Sequence, residues 1–462
     1  MYSASQGHPR GLYLLFATEM WERFSYYGNR ALLALFMLGA LAFDKQMASH
    51  LYGSYTALAY LTPLVGGYVA DRYWGNRRSI LVGGLLMAAG QFVLFWAGSV
   101  YYNAALAVPL FYAGLTLLAI GNGFFKPNIS TMVGDLYAPG DSRRDAAYTI
   151  FYMGINLGSF LAPLICGYLG DTGNPADFRW GFLTAGVGML LSVITFSLFK
   201  NRYLVGPDGH ALGLSPADNR AAGQGQHLDQ PLTRIDYQRM IVIGILSLFV
   251  VFFWSVFEQA GVSLTYLAEE SVNRELFGSG FIVPASWFQS LNPVFILIFA
   301  PVMAWLWGRL GRAGREPASP TKMAWGLLLL AGGFWVISVG VQGVAPAIKI
   351  SLLWLVAMYF MNTMGELFLS PVGLSLVNKL SPAKFASLMM AVWFAANAAA
   401  NWLAGFFSGF YPEPGQPAPS FLGWQIVTLH DFFMLFVWFA ACGGIILLLL
   451  TKPLQKMMNG IR

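Results

Sequence analysis

The first apolar stretch of the sequence carries an unusual set of ionisable side chains. Glu19, Glu22, Arg23, Tyr26 and Arg30 are separated mainly by three, four or seven positions, so on a helix they lie along one stripe. A charged group at bilayer depth costs several kcal/mol unless it is paired or hydrated. The stripe is therefore predicted to face a polar interior, where carboxylates can exchange protons and arginine can bind an anion through two hydrogen bonds.

Single charges occupy three later apolar stretches, at Lys126, Glu258 and Glu366. In the first half of the chain three deep cations face two carboxylates, whereas the second half holds two deep carboxylates. A cavity between such halves suits a molecule that is anionic at one end and cationic at the other, such as a short peptide. We expect Arg23, with Lys126 as a second positive charge, to bind the carboxylate, and Glu366 or Glu258 to accept the amino terminus.

Neutral polar groups accompany these charges. Amides, hydroxyls and an indole at helical spacing could hold peptide-bond groups: Tyr152, Asn156, Asn362, Trp393, Asn397 and Asn401. The pairs Lys126-Pro127 and Asn292-Pro293 are predicted to break or kink their helices, which would free backbone groups where a cavity could use them.

The composition indicates whether these groups lie in a water-soluble protein or in a membrane protein. Hydrophobic residues make up 57% of the chain and charged residues only 10%, far fewer than a water-soluble globule carries. The bilayer is therefore the expected solvent. Cys166 and Cys442 both lie in apolar stretches, which indicates neither a disulfide framework nor a metal cluster. We expect no cofactor and no metal.

Twelve apolar stretches could each cross ~30 Å of hydrocarbon. Six lie in the first half of the sequence, at 12–38, 51–70, 80–97, 105–133, 147–169 and 181–199. Six lie in the second half, at 240–267, 282–307, 323–341, 351–377, 385–410 and 429–450. The pattern predicts an all-α membrane protein with an N-terminal six-helix bundle (1–204), a cytoplasmic linker (205–238) and a C-terminal six-helix bundle (239–462).

The basic residues predict the orientation of these stretches. Of the 27 Lys and Arg residues, 20 fall on one side of the predicted spans, and cytoplasmic loops carry most such charges. Both termini are therefore expected in the cytoplasm. The net charge of +6 is spread over these loops and would face anionic lipid, so it gives no reason to expect a nucleic-acid partner.

Two long motifs identify a known family. EMWERFSYYG at 19–28 resembles the ExxERFxYYG signature of the proton-dependent oligopeptide transporter family, a branch of the major facilitator superfamily, and FYMGINLGS at 151–159 resembles its FYxxINxGS signature. GGYVADRYWGNR at 67–78, GNGFFKPN at 121–128 and GELFLSPVGLS at 365–375 agree with it. The resemblance implies the major facilitator fold and proton-coupled uptake of di- and tripeptides by alternating access across the cell inner membrane.

The resemblance also implies roles for individual residues. Glu19, Glu22 and Arg23 would serve proton coupling. Arg23 and Lys126 would meet the peptide carboxylate, and Asn292 and Glu366 its amine. The remaining positions that match the family's pocket are Tyr26, Tyr27, Tyr60, Asn156, Trp254, Glu258 and Trp393. The implied gate pairs are Arg30 with Glu258 and Lys126 with Glu366. Protons would be the coupling ion, and a monomer is expected to be the functional unit.

The sequence departs from relatives at two places. Many bacterial relatives insert two further helices between the halves, but the segment 200–239 is too short and polar to hold them. Mammalian relatives use a histidine in the second span, where Gly53 stands here, and His50 lies about one helical turn away. No coupling role is therefore expected for His50.

Three other functions compete with peptide uptake. A proton-coupled carrier of nitrate or another small anion is the nearest, because the Arg23 and Lys126 region is basic and the wider family includes such members. The two carboxylates of the second half disfavour it. A non-transporting receptor or a channel built on the same helices would need a ligand domain or a repeated pore segment, which the sequence does not show. An intramembrane enzyme is disfavoured because neither HExxH nor GxSxG occurs.

Overall fold

The structure is a computed structural model that describes residues 7–138, 140–141, 143–215, 233–345, 348–382 and 385–459, without the side chains of 370–375, 378, 386 and 387. Most of these residues are helical, which confirms the all-α prediction. Of the 20 basic residues counted on one side of the predicted spans, Arg220, Lys384 and Arg462 lie outside the described residues.

The first half of the chain folds into six long helices. They are α1 (Arg10–Gly39), α2 (Lys45–Val69), α3 (Gly75–Ser99), α4 (Ala104–Asp135), α5 (Arg143–Gly170) and α6 (Phe178–Tyr203). A π-helical segment, Ala70–Trp74, joins α2 to α3, and a 3-10 turn, Pro175–Asp177, precedes α6.

The second half of the chain begins at a capping box in which Thr233 and Asp236 exchange hydrogen bonds. Its helices are α7 (Arg234–Phe257), α8 (Ser263–Glu270), α9 (Leu291–Arg312), α10 (Ser319–Val341), α11 (Leu352–Leu380), α12 (Ala386–Ser408) and α13 (Leu429–Met457). Two short strand pairs lie between helices: β1 (Val272–Asn273) runs parallel to β2 (Ile350–Ser351), and β3 (Ser420–Phe421) runs antiparallel to β4 (Trp424–Gln425). Ten described segments are long and apolar enough to span a membrane.

The chain divides into two compact units. The first comprises Met1–Ala42 and Leu58–Gln224, and the second comprises Phe43–Ala57 and Gly225–Arg462. In the first unit α1 packs on α5 and α6, and α3 packs on α4 and α6. In the second, α10 packs on α11 and α13, and α7 packs on α12. The beginning of α2 therefore belongs to the second unit, and the rest of α2 belongs to the first.

The beginning of α2 is held within the second unit by polar and close backbone contacts. Lys45 Nζ lies 2.7 Å from Glu270 Oε1 and 4.6 Å from the centroid of the Tyr411 ring. Further along α2, a Cβ added to Gly53 would lie 2.7 Å from the Cα of Gly405. Only glycine permits this approach of α2 to α12.

The segment between the second and third predicted spans, 71–79, is helical. The helix α2 continues into the π-helical turn, and α3 begins at Gly75, whose φ is +72°. A residue with a Cβ is strained at this φ. The start of the predicted linker packs on this turn, because the Arg77 amide donates to the Gly213 carbonyl at 2.9 Å. The linker ends earlier than predicted, since α7 begins at Arg234.

Two of the predicted spans are wrong in detail. The seventh is not one helix, because a 3-10 turn, Glu258–Gly261, separates α7 from α8. The eighth begins at Leu291 rather than at residue 282. Asn292-Pro293 therefore opens α9 and does not break it, since proline is tolerated in the first helical turn. Pro127 lies inside the continuous helix α4.

Candidate functional site

The charged stripe of α1 forms a compact ion cluster inside the first unit. Arg23 Nε lies 3.1 Å from Glu19 Oε1, and Arg23 Nη2 donates to Glu22 Oε1 at 2.8 Å. A second contact joins Arg23 Nε to the other oxygen of Glu22. All three side chains are buried. Among the described residues, Glu19 Oε2 has no hydrogen-bond partner, so this oxygen can accept a proton or a ligand donor.

The helix α5 supports the back of this cluster through two glycines. A Cβ at Gly154 would lie 2.9 Å from the Phe16 ring, and a Cβ at Gly158 would lie 2.2 Å from the Met20 carbonyl oxygen. Glycines spaced four apart let helix backbones approach closely. The second signature, FYMGINLGS, therefore fixes the position of the first one. Asn156, on the same helix, donates to the Tyr152 carbonyl at 2.9 Å.

Aromatic rings face the cations of the first unit. The guanidinium of Arg23 lies 5.1 Å from the Tyr26 ring centroid, and that of Arg30 lies 5.8 Å from Tyr27. Lys126 Nζ lies 4.6 Å from the Tyr60 ring centroid. Cation–π contact stabilises a positive charge without neutralising it. Each of these cations therefore has an aromatic ring beside it, and Arg23 is in addition paired with Glu19 and Glu22.

The second unit contains a differently built carboxylate site. Asn292 Nδ2 donates to Glu366 Oε2 at 2.7 Å and to Thr363 Oγ1 at 3.1 Å. Thr363 in turn donates to the Tyr359 carbonyl at 2.7 Å. Glu366 is buried. The site therefore joins the first turn of α9 to the middle of α11 through a neutral amide.

Glu258 lies where the seventh predicted span is interrupted. It begins the 3-10 turn between α7 and α8 and is buried. The adjacent Gln259 donates to the carbonyls of Ser255 at 3.1 Å and of Ala404 at 3.0 Å, which fastens the turn to α12. The Trp254 ring lies one helical turn earlier and packs edge-on against Phe257.

A ladder of side chains follows one face of α12. Asn397 donates to the Trp393 carbonyl at 2.8 Å, and Asn401 donates to the Asn397 carbonyl at 2.9 Å. All three side chains are buried. On α11, Asn362 Oδ1 is buried and has no hydrogen-bond partner among the described residues. This oxygen lies against Gly333 of α10, where an added Cβ would come within 2.2 Å of it.

Sequence reasoning missed Thr363 and Gln259 as parts of these sites. Thr363 could have been found, because it precedes Glu366 by three positions and so shares its helical face. Gln259 gives no local signal, since its partner Ala404 is 145 positions away. The gate pairs Arg30 with Glu258 and Lys126 with Glu366 join residues of different units and remain predictions. His50, on an exposed part of α2, stacks on Phe406 with ring centroids 6.3 Å apart.

Helices long enough to cross a bilayer, with charged side chains buried on them, indicate a multi-pass membrane protein with a polar interior. The family model described as the POT family matches residues 77–209 and 232–421. The chain belongs to this family, the proton-dependent oligopeptide transporters.

Individual relatives match along almost the whole chain. It is 35% identical to the uncharacterized transporter YclF of Bacillus subtilis, over 98% of this chain and 96% of that one. It is 33% identical to the peptide transporter YePEPT of Yersinia enterocolitica, over the same shares. A crystal structure of the peptide transporter POT with sulfate is similar at a TM-score of 0.82 and 34% identity, covering 99% of this chain and 97% of that one.

Proposed function

We propose that this protein is a proton-coupled symporter that imports di- and tripeptides by alternating access. The observation that carries the proposal is Arg23 held between Glu19 and Glu22, all buried on α1. The names of relatives support peptides as the cargo: a protein of Lactococcus lactis named di-/tripeptide transporter is 32% identical over 99% of this chain.

We further infer twelve membrane-spanning helices with both termini in the cytoplasm. Ten segments qualify by length and composition, and the first of them, Lys45–Ser99, contains both α2 and α3. The helix α1 adds the twelfth span, although its charges exceed what an ordinary span carries. The excess of basic residues on one side supports the orientation, and a cell inner membrane would supply the proton gradient.

The coupling mechanism begins with competition for Arg23. When a peptide carboxylate binds the guanidinium, Glu22 or Glu19 loses its counter-charge and favours its protonated form. Peptide and proton then bind cooperatively. The seven deep charges of the sequence sum to minus one, because three cations face four carboxylates. One proton therefore makes the site neutral, and a neutral site costs less to desolvate when it closes.

The carboxylates of the second unit complete the recognition of a dipolar peptide. Glu366, which is oriented by the amide of Asn292, would bind the peptide amine. Protons are the coupling ion, membrane lipid is the surrounding solvent, and a monomer is the proposed unit of transport. Breaking and forming the pairs Arg30 with Glu258 and Lys126 with Glu366 would open and close the two ends of the path.

Proton coupling sets a limit on accumulation. A zwitterionic peptide adds no net charge, so one proton per peptide gains about 2.3 kcal/mol per 100 mV. A difference of one pH unit adds about 1.4 kcal/mol. The sum of ~3.7 kcal/mol supports an accumulation of roughly several hundredfold.

The deciding experiment uses the purified protein in liposomes and measures uptake of a labelled dipeptide. We expect uphill uptake only with an acidic exterior. Glu22→Gln should abolish uphill uptake and retain exchange of internal for external dipeptide. Unchanged uphill uptake by Glu22→Gln would contradict the coupling role, and uptake of nitrate in place of dipeptide would favour the anion carrier.

A further inference from the structure

Three arginines lie at the end of α9 and just beyond it, next to an exposed apolar stripe of the helix. Arg309, Arg312 and Arg315 are all exposed. Among the described residues, none of the three forms an ion pair with a carboxylate. The guanidinium of Arg309 lies 5.4 Å from the centroid of the Trp305 ring. Within the described part of the protein no carboxylate neutralises these arginines, so they are available to an external anion.

A nearby lysine provides an internal contrast. Lys322, at the beginning of α10, is buried and forms an ion pair with Glu316. Lys322 Nζ also lies 4.4 Å from the centroid of the Trp307 ring. Glu316 is therefore already neutralised, and the three arginines contribute an uncompensated charge of plus three to this end of the helix. The partial negative charge of a helix C-terminus stabilises such cations but does not neutralise them.

The apolar stripe leads directly to these arginines. Ile298, Val302 and Trp305 are 55%, 50% and 57% exposed, and their spacing of four and three places them on one face of α9. Arg309 and Arg312 continue the same spacing. The opposite face, with Ile296 and Met303, packs against Leu367 of α11. One face of α9 therefore offers an apolar stretch of about 10 Å that ends in cationic groups.

Three tryptophans mark the depth of this region in the bilayer. Trp305 and Trp325 are partly exposed, and Trp307 packs with Phe368 at 5.1 Å between ring centroids. Tryptophan is enriched at the level of lipid headgroups. The arginines, which follow Trp305 and Trp307 by a few residues, are then at the height of the lipid phosphates.

We propose that this face of α9 binds an anionic phospholipid. Its phosphodiester would accept hydrogen bonds from the guanidinium groups of Arg309, Arg312 and Arg315, because arginine binds phosphate through two parallel N–H donors. Its acyl chains would lie along Trp305, Val302 and Ile298. Phosphatidylglycerol supplies this chemistry, whereas phosphatidylcholine carries a compensating cation on the same headgroup.

The test measures retention of phosphatidylglycerol by the purified full-length protein with native mass spectrometry over a range of lipid concentrations. The decisive variant is R309Q/R312Q/R315Q. The matched control is K379Q/K452Q/K456Q, which removes three exposed cations from the ends of α11 and α13. Each arginine near anionic lipid contributes roughly a fivefold change in affinity, so the arginine variant should bind about a hundredfold more weakly. The lysine variant should bind as the unmodified protein does.

Several outcomes would overturn the proposal. Equal losses in both triple variants would show diffuse attraction to surface charge. Retention of phosphatidylcholine as strong as that of phosphatidylglycerol would show that the headgroup charge is not recognised. Displacement of the lipid by millimolar inorganic phosphate would show an anion site without a lipid component. If the triple variant fails to fold, R312Q and R315Q alone should each weaken retention about fivefold, and no change in either would reject the site.

Discussion

The two units hold their buried carboxylates in different ways. In the first unit Glu19 and Glu22 share the guanidinium of Arg23 at distances of 3.1 and 2.8 Å. In the second unit Glu366 accepts a hydrogen bond of 2.7 Å from the neutral amide of Asn292. A carboxylate beside arginine has a counter-charge next to it, whereas an amide orients a carboxylate without supplying one.

This difference predicts different roles for the two sites in transport. An anion that enters the first unit must compete with Glu19 and Glu22 for Arg23, so its binding changes the charge balance of those glutamates. A cation that enters the second unit meets Glu366 oriented by the amide of Asn292, which is a neutral donor and not a counter-charge. Coupling is therefore expected in the first unit and recognition without coupling in the second.

The strongest test of this contrast is Arg23→Ala. The substitution leaves two buried carboxylates without their counter-charge, which should lower the free energy of unfolding by about 3–5 kcal/mol and abolish dipeptide uptake. Unfolding in mixed micelles and uptake in liposomes measure the two effects. The double variant Glu22→Gln/Arg23→Ala should recover part of the stability, because it removes one of the two carboxylate charges that Arg23→Ala leaves without a counter-charge. Equal stability of the single and double variants would argue against the ion pair.

The support given by α5 can be tested with Gly158→Ala. Its Cβ would lie 2.2 Å from the Met20 carbonyl oxygen, so α5 must move away from α1 at a cost of about 1–3 kcal/mol. Gly244→Ala is the control, since nothing lies within 4 Å of that position in α7. The control should be neutral or more stable by up to about 1 kcal/mol. If Gly158→Ala leaves the free energy of unfolding unchanged, the position of α1 does not depend on this close contact.

The recognition site can be tested with Glu366→Gln. Losing the negative charge should raise KM for a dipeptide with a free amine roughly 10- to 100-fold, the equivalent of about 1.4–2.7 kcal/mol. The KM of an N-acetylated dipeptide, which has no ammonium group, should change little. Glu275→Gln, which removes an exposed carboxylate of the same unit, is the control. A similar loss for both substrates would show that Glu366 does not recognise the amine.

The smallest expected effect comes from Thr363→Val. This substitution keeps the shape of the side chain and removes the hydroxyl that accepts from Asn292 at 3.1 Å. One neutral hydrogen bond contributes about 1 kcal/mol, so KM for the dipeptide should rise about fivefold with uphill uptake intact. A change as large as that of Glu366→Gln would make Thr363, and not the carboxylate, the main determinant of this site.

The parts of the fold that were predictable depend on local periodicity. Apolar stretches of bilayer length and the charges within them indicate helices, so the long helices were found, most with ends shifted by a few residues. The break at Glu258–Gly261 was not predictable. Its four residues are flanked by apolar residues on both sides, and the turn is stabilised by Gln259 donating to the distant carbonyl of Ala404. The helical form of the segment 70–74 was missed because its Asp, Arg and Tyr residues are typical of a loop.

By itself the sequence determined that this is a helical membrane protein and that Glu19, Glu22 and Arg23 share a helix face. Those properties follow from composition and from the 3.6-residue period, which act over a few turns of chain. Only the tertiary structure decided that Asn292 reaches Glu366, 74 positions away, and that Lys45 binds Glu270 across 225 positions. Such contacts depend on how closely helices approach, and glycines such as Gly158 and Gly53 set that distance through packing.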